Sequence, residues 1–171
     1  IYTVQIDDVR TINGMTSQME SSLLIDGVGQ LTIQNDSLIG GQFLTLNTTG
    51  GLEVNGNLNL LVDTTILQNG NITGTGTIIS SSFFNAQNAT ALSIDPAFVN
   101  YSGMLKIGAG DLTFNGALNN FGFISASTGT LFANNTFVSE EYSFVTVDVG
   151  ASIDLSASGM TVEKRSSLGG A

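Results

Sequence analysis

A short alternating segment led by glycine recurs along this chain. It reads Gly29-Gln-Leu31-Thr-Ile33-Gln-Asn35, Gly51-Leu52-Glu-Val54-Asn-Gly56, Gly110-Asp-Leu112-Thr-Phe114-Asn-Gly116 and Gly129-Thr-Leu131-Phe-Ala133-Asn-Asn135. Alternation with a period of two places the apolar residues of each segment on one side of a strand. The first inward apolar residue after each glycine or turn serves as an anchor: Leu31, Leu52, Ile78, Leu92, Leu112, Leu131 and Ile153. Successive gaps are 21, 26, 14, 20, 19 and 22 residues, about 20 on average, so one coil between Leu52 and Leu92 reads as displaced.

Recurrence near 20 residues in short strands is the mark of a solenoid. One coil cannot bury its inward side chains alone. Coils stacked about 4.8 Å apart pair each strand with those above and below and set like residues over like. The expected fold is therefore all-β, a parallel β-solenoid (β-helix) of about 20 residues per coil. The rival is an antiparallel β-sandwich or jelly roll, which also uses closely spaced short strands. A sandwich gives no reason for glycine-led segments to recur.

Composition supports strands and tight turns. Of 171 residues, 21 are Gly and one is Pro, and charged residues make up only 11%. Asn and Gly at the expected corners (Asn35, Gly56, Asn69-Gly70, Asn115-Gly116) suit the left-handed conformations of sharp bends. Net charge is −10 with four basic residues, Arg10, Lys106, Lys164 and Arg165. Polyanion binding needs clustered Lys and Arg, so nucleic acid is excluded as a partner and an anionic membrane surface is disfavoured. No run of about 18 apolar residues argues for membrane insertion. The chain begins at Ile1 and contains no cysteine, so it is read as a processed mature chain or a fragment without disulfides.

Three segments are expected: 1–22, an N-terminal strand and capping segment; 23–163, the solenoid; and 164–171, a flexible tail or linker. In the first, Tyr2, Val4 and Ile6 alternate as a strand. Met15, Met19 and Leu23 have helical spacing, and Ser17 precedes Glu20 as in a capping box, so a short helix or a polar loop covers the end of the stack. Lys164-Arg165 is a solvated pair or a dibasic processing site. Nine of the ten Phe lie from Phe83 onward. They read as an internal ladder filling the core, or alternatively as an aromatic platform for sugar.

Little chemistry is on offer. With no His and no Cys, nucleophile–histidine arrangements and the usual zinc sites are impossible, and the chain is read as non-enzymatic. The adjacent acids Asp7-Asp8 and Glu140-Glu141 point to opposite strand faces. Calcium is a weak candidate cofactor, since scattered acids such as Asp63, Asp95, Asp111, Asp148 and Asp154 offer oxygen ligands without a calcium-repeat motif. Asn-x-Ser/Thr sequons at Asn35, Asn47, Asn71, Asn88, Asn100 and Asn134 are candidate glycosylation sites. Thr73-Gly-Thr75-Gly-Thr77 reads as three threonines on one strand face, echoed only by Thr128-Gly-Thr130, which makes ice binding a remote alternative.

The stretches GLEVNGNLNLLVDTTILQNGNITGTGTI and GDLTFNGALNNFGFISASTGTL resemble the repeats of right-handed β-helix adhesins of the filamentous-haemagglutinin and autotransporter-passenger kind. The resemblance spans roughly residues 23–157 and lies in repeat style. It implies an elongated, secreted or cell-surface, non-catalytic protein. The leading expectation is a building block of a fibre or surface layer that associates with itself through the strand containing Tyr2, Val4 and Ile6 or that containing Thr161 and Val162. The alternative is an adhesin segment recognising glycans or a host surface, with Tyr2, Tyr101 or Tyr142 as contacts.

Overall fold

The computed structural model describes residues 2–17, 20–157, 159–163 and 165–170. Among them are twenty-three strands and no helix, and every strand pairing is parallel. The chain is a parallel β-solenoid, and the antiparallel alternative falls.

Each coil visits three faces. The first coil shows them in order: Tyr2–Ile6 on the first face, Val9–Ile12 on the second and Thr16–Ser17 on the third. The second face is an unbroken ladder of eight strands, from Val9–Ile12 through Gln30–Ile33 and Gly51–Val54 to Ala151–Asp154. The first and third faces belong to one sheet because Ser37–Thr48 and Asn57–Asn69 run across the corner between them. Coil-to-coil partners lie about 20 residues apart, as in Leu31↔Leu52, Leu112↔Leu131 and Phe98↔Leu118.

Alternation decides what is buried. On the second face Leu31, Leu52 and Ile72 form one inward column that continues to Ile94, Phe114 and Ala133. Ile72, not Ile78, is thus the anchor of the displaced coil. Its strand is only Ile72–Thr73, ended by Gly74 at φ +107. A Cβ there would collide with the Val54 carbonyl in the coil below, so only glycine fits so sharp a turn. Ile78 lies on the third face, between Leu58 and Phe98.

The phenylalanines divide. Phe84, Phe98, Phe114 and Phe137 are fully buried, whereas Phe43, Phe121, Phe123 and Phe144 are exposed. The buried rings do not form a like-over-like ladder. Phe84 comes from the first face, Phe98 from the third and Phe114 from the second, and they meet edge to face at 5.1 and 5.4 Å.

Two terminal expectations are corrected. Among the described residues of 15–23 there is no helix: Thr16–Ser17 pairs with Leu38 and Ile39, Ser21–Gly27 is a strand, and Glu20 turns the chain at φ 73. The Ser17 hydroxyl donates to the Gly40 carbonyl at 2.7 Å and accepts from the Gly40 amide at 3.1 Å. It serves the sheet edge, where backbone groups need partners, rather than a helix cap. Gln18 and Met19 lie outside the described residues. At the other end, Ser167–Gly170, read from the sequence as part of a tail, pairs along Phe144–Val147. It extends the stack by one more rung, with Leu168 over the buried Val145.

Candidate functional site

The most distinctive surface is aromatic. Successive outward positions on the first face are Phe43, Thr64, Phe83, Gly103, Phe123 and Phe144. Phe43 is 43% exposed, Phe123 37% and Phe144 53%. The rings of Phe83 and Phe123 lean together across Gly103, with centroids 5.8 Å apart at 55°. Any Cβ at Gly103 would strike the Phe123 ring, so this glycine serves ring approach rather than a turn. Just around the corner, Tyr101 stacks on Phe121 at 4.7 Å and 19°. The neighbouring outward column holds Thr45, Ile66, Asn85, Leu105, Ser125 and Thr146. Neither column carries a charge.

Inside the corner between the third and first faces runs a polar column: Ser80, Asn100, Asn120 and Ser139, all 0% exposed. Asn100 Nδ2 donates to Asn120 Oδ1 at 2.7 Å and to the Phe123 carbonyl at 3.0 Å. Asn120 Nδ2 reaches the carbonyls of Gly122 and Phe144 at 3.2 and 3.3 Å. At the opposite corner Asn88 is also fully buried, donating to the Thr90 and Asp111 carbonyls at 2.8 Å each. These amides satisfy carbonyls where the chain bends and the ladder cannot.

Burial corrects two of the six sequons. Asn35, Asn47, Asn71 and Asn134 are exposed, but Asn88 and Asn100 are interior and cannot carry a glycan in the folded coil. Expressed in a glycosylating secretory host, the protein is expected to show occupancy only among the four exposed asparagines by peptide mass spectrometry. A glycan on Asn100 in folded material would contradict the ladder.

Lys106 is the unexpected interior residue. It occupies an inward column of the first face between Ala86 and Ala126, at 0% exposure. Its ammonium donates to the Gly108 carbonyl and, at 3.1 Å, to the Thr128 carbonyl. Burial pushes its pKa down, and the Asp111 carboxylate pulls part of that shift back. The flanking alanines make the room, a signal present in the sequence only once the register is known.

The two strands expected to associate do sit on terminal coils. Val4 is 48% exposed and Ile6 partly buried at one end, and Thr161 and Val162 are exposed at the other. They lie on different faces, however: the strand Tyr2–Ile6 on the first and Met160–Val162 on the third. In a head-to-tail stack the partner of Tyr2–Ile6 is Ser167–Gly170. The first coil also holds a cavity of about 370 Å³ lined by Val4, Met15, Ser17 and Leu23. On the second face of the same coil, Arg10 occupies the inward column of Leu31 and turns out to bridge Asp8 at 2.6 Å.

The remaining candidates disperse. The side chain of Tyr2 and all of Lys164 lie outside the described residues. Tyr142 is exposed beneath the Arg165 guanidinium, 5.4 Å from its ring. Thr73 and Thr77 fall on different faces, separated by the bend at Gly74, so the three threonines make no flat array. Among the described residues no three acidic side chains come together as a metal-binding group. Comparison with protein-family models, with curated proteins and with solved structures returns no match, so the class of this chain rests on its coil geometry, an all-β parallel solenoid.

Proposed function

We propose that this chain is a non-enzymatic structural module of an extracellular fibre or surface layer, of the filamentous-haemagglutinin and autotransporter-passenger type, lengthened by coils that stack on its ends. The observation that carries this reading is that core positions come to the surface at both terminal coils. Val4 at one end and Met160, Val162 and Leu168 at the other are 41–53% exposed, although their columns are buried one or two coils further in. Parallel edges beside them present backbone groups ready to pair with another coil.

Repeated head-to-tail contact of this kind is heterologous and does not close on itself, so it gives filaments rather than rings. Arg10 at a core position works against it, since inward charge is a device that blunts a sheet edge. Its bridge to Asp8 lets the pair enter a joint as a neutral unit. Assembly is therefore expected to be concentration-dependent.

Sedimentation velocity and negative-stain imaging over a wide concentration range test this. Rod-like oligomers are expected, and Val162→Lys with Leu168→Lys is expected to abolish them by placing ammonium groups in the joint. Isolated particles at every concentration overturn the assembly reading. A second reading, an adhesin segment that binds glycans, is favoured by one specific observation, the uncharged aromatic strip on the first face.

A further inference from the structure

We propose that the outward first face between Phe43 and Phe144 is a platform for a neutral polysaccharide chain lying across the coils. This rests on the adhesin reading and gives it a site and a ligand class. Sugar rings present C–H faces that pack on aromatic rings and hydroxyls that bond to amides and alcohols. The platform offers both, with Phe43, Phe83, Phe123 and Phe144 in one column and Thr45, Ser125 and Thr146, alongside Ile66 and Leu105, in the next. Rungs recur about every 4.8 Å, so the column extends about 24 Å, room for several sugar units.

Charge selects the ligand class. The protein carries −10 overall, and none of the basic residues that the structure describes lies on this face. Lys106 is buried, Arg10 sits on the first coil, and Arg165 lies over Tyr142 near the last. A sulfated or uronate-bearing glycan would meet a repulsive field with no cation among the described residues of this face to pair with, whereas a neutral glycan meets none.

Area argues against a second copy of the chain as the occupant. Two outward columns over six rungs cover a few hundred Å², against about 800 Å² per partner in a standard interface. A flat contact of that size suits an extended glycan, which needs only a few rings.

Affinity electrophoresis in gels containing hydroxyethylcellulose, a mixed-linkage β-glucan, galactomannan or polygalacturonate tests the proposal. Retardation by at least one neutral polymer and none by polygalacturonate is expected. Phe123→Ala with Phe144→Ala is expected to weaken binding about tenfold, with the unfolding midpoint checked to show that the stack is intact. Binding that survives this double variant but is lost in Tyr142→Ala overturns the platform while leaving the adhesin reading standing. Retardation by none of the neutral polymers overturns both. A loss of self-association in the double variant without any glycan binding assigns the face to a second copy and also overturns the platform.

Discussion

Phe98→Ala is expected to lower the unfolding free energy by about 3–5 kcal/mol, the range for truncating a fully buried aromatic ring. Phe98 is 0% exposed, and its ring meets Phe84 at 5.1 Å and Phe114 at 5.4 Å, both edge to face. Because the three rings come from three faces, they tie the sides of the coil together across the interior. Such pairs contribute about 0.5–1.5 kcal/mol each beyond the apolar area they bury. Above and below in the column sit Ile78 and Leu118, held by their own ladders and unable to collapse into the space.

Urea unfolding followed by far-ultraviolet circular dichroism is the measurement. The midpoint should fall, and the transition should broaden or split, because each coil touches only its neighbours and a weakened one uncouples the two halves. A change below about 1 kcal/mol, ordinary for a surface substitution, would mean that the interior is not organised around this ring.

The architecture was readable because strand alternation and coil spacing are both one-dimensional. Leu31, Leu52, Leu112 and Leu131 lie in the second-face columns that their glycine-led segments suggest. What failed needed knowledge of the corners. Ile78 looks like an anchor until Gly74 is seen to turn the chain, leaving Ile72 in the column and sending Ile78 to another face. Phe83 and Phe84 are adjacent, and letters alone do not say which points inward; a one-residue slip of register exchanges them. The same ambiguity leaves the sequence unable to choose, for Phe83, Phe123 and Phe144, between filling the core and facing outward, and the register places all three on the outer side of the first face.

The polar interior was hidden for a different reason. Asn100 and Asn120 look like turn residues, and they do end strands, but their amides face inward to meet carbonyls at the bend. Residue type alone could not separate these from the exposed asparagines at 35 and 134. In the terminal segment, helical spacing of Met15, Met19 and Leu23 lost to pairing, since Thr16 and Ser17 answer an open strand edge at Leu38 and Ile39. Local pattern yields where long-range backbone bonds are available.

Lys106 offers the sharpest electrostatic test. Lys106→Glu is expected to cost at least about 3 kcal/mol, because it buries an unpaired carboxylate against carbonyl oxygens. Lys106→Met, of similar length and without charge, is expected to stay within about 2 kcal/mol of the wild type, losing two hydrogen bonds but also the burial of a cation. The pH profile then identifies the cause. Desolvation lowers the folded-state pKa of Lys106, partly offset by Asp111, while in the unfolded chain it returns to about 10.4. Between those two values the unfolded chain holds the proton more firmly, so stability rises with pH through that window. Below the folded pKa the penalty is complete and the contribution is flat. Relative to Lys106→Met, the wild-type urea midpoint should therefore climb as pH is raised from the lowered folded-state pKa towards about 10.4. Other titrating groups are common to both proteins and cancel in the difference. Parallel profiles would mean that the ammonium keeps its water, and that the two alanines beside it do not enclose it.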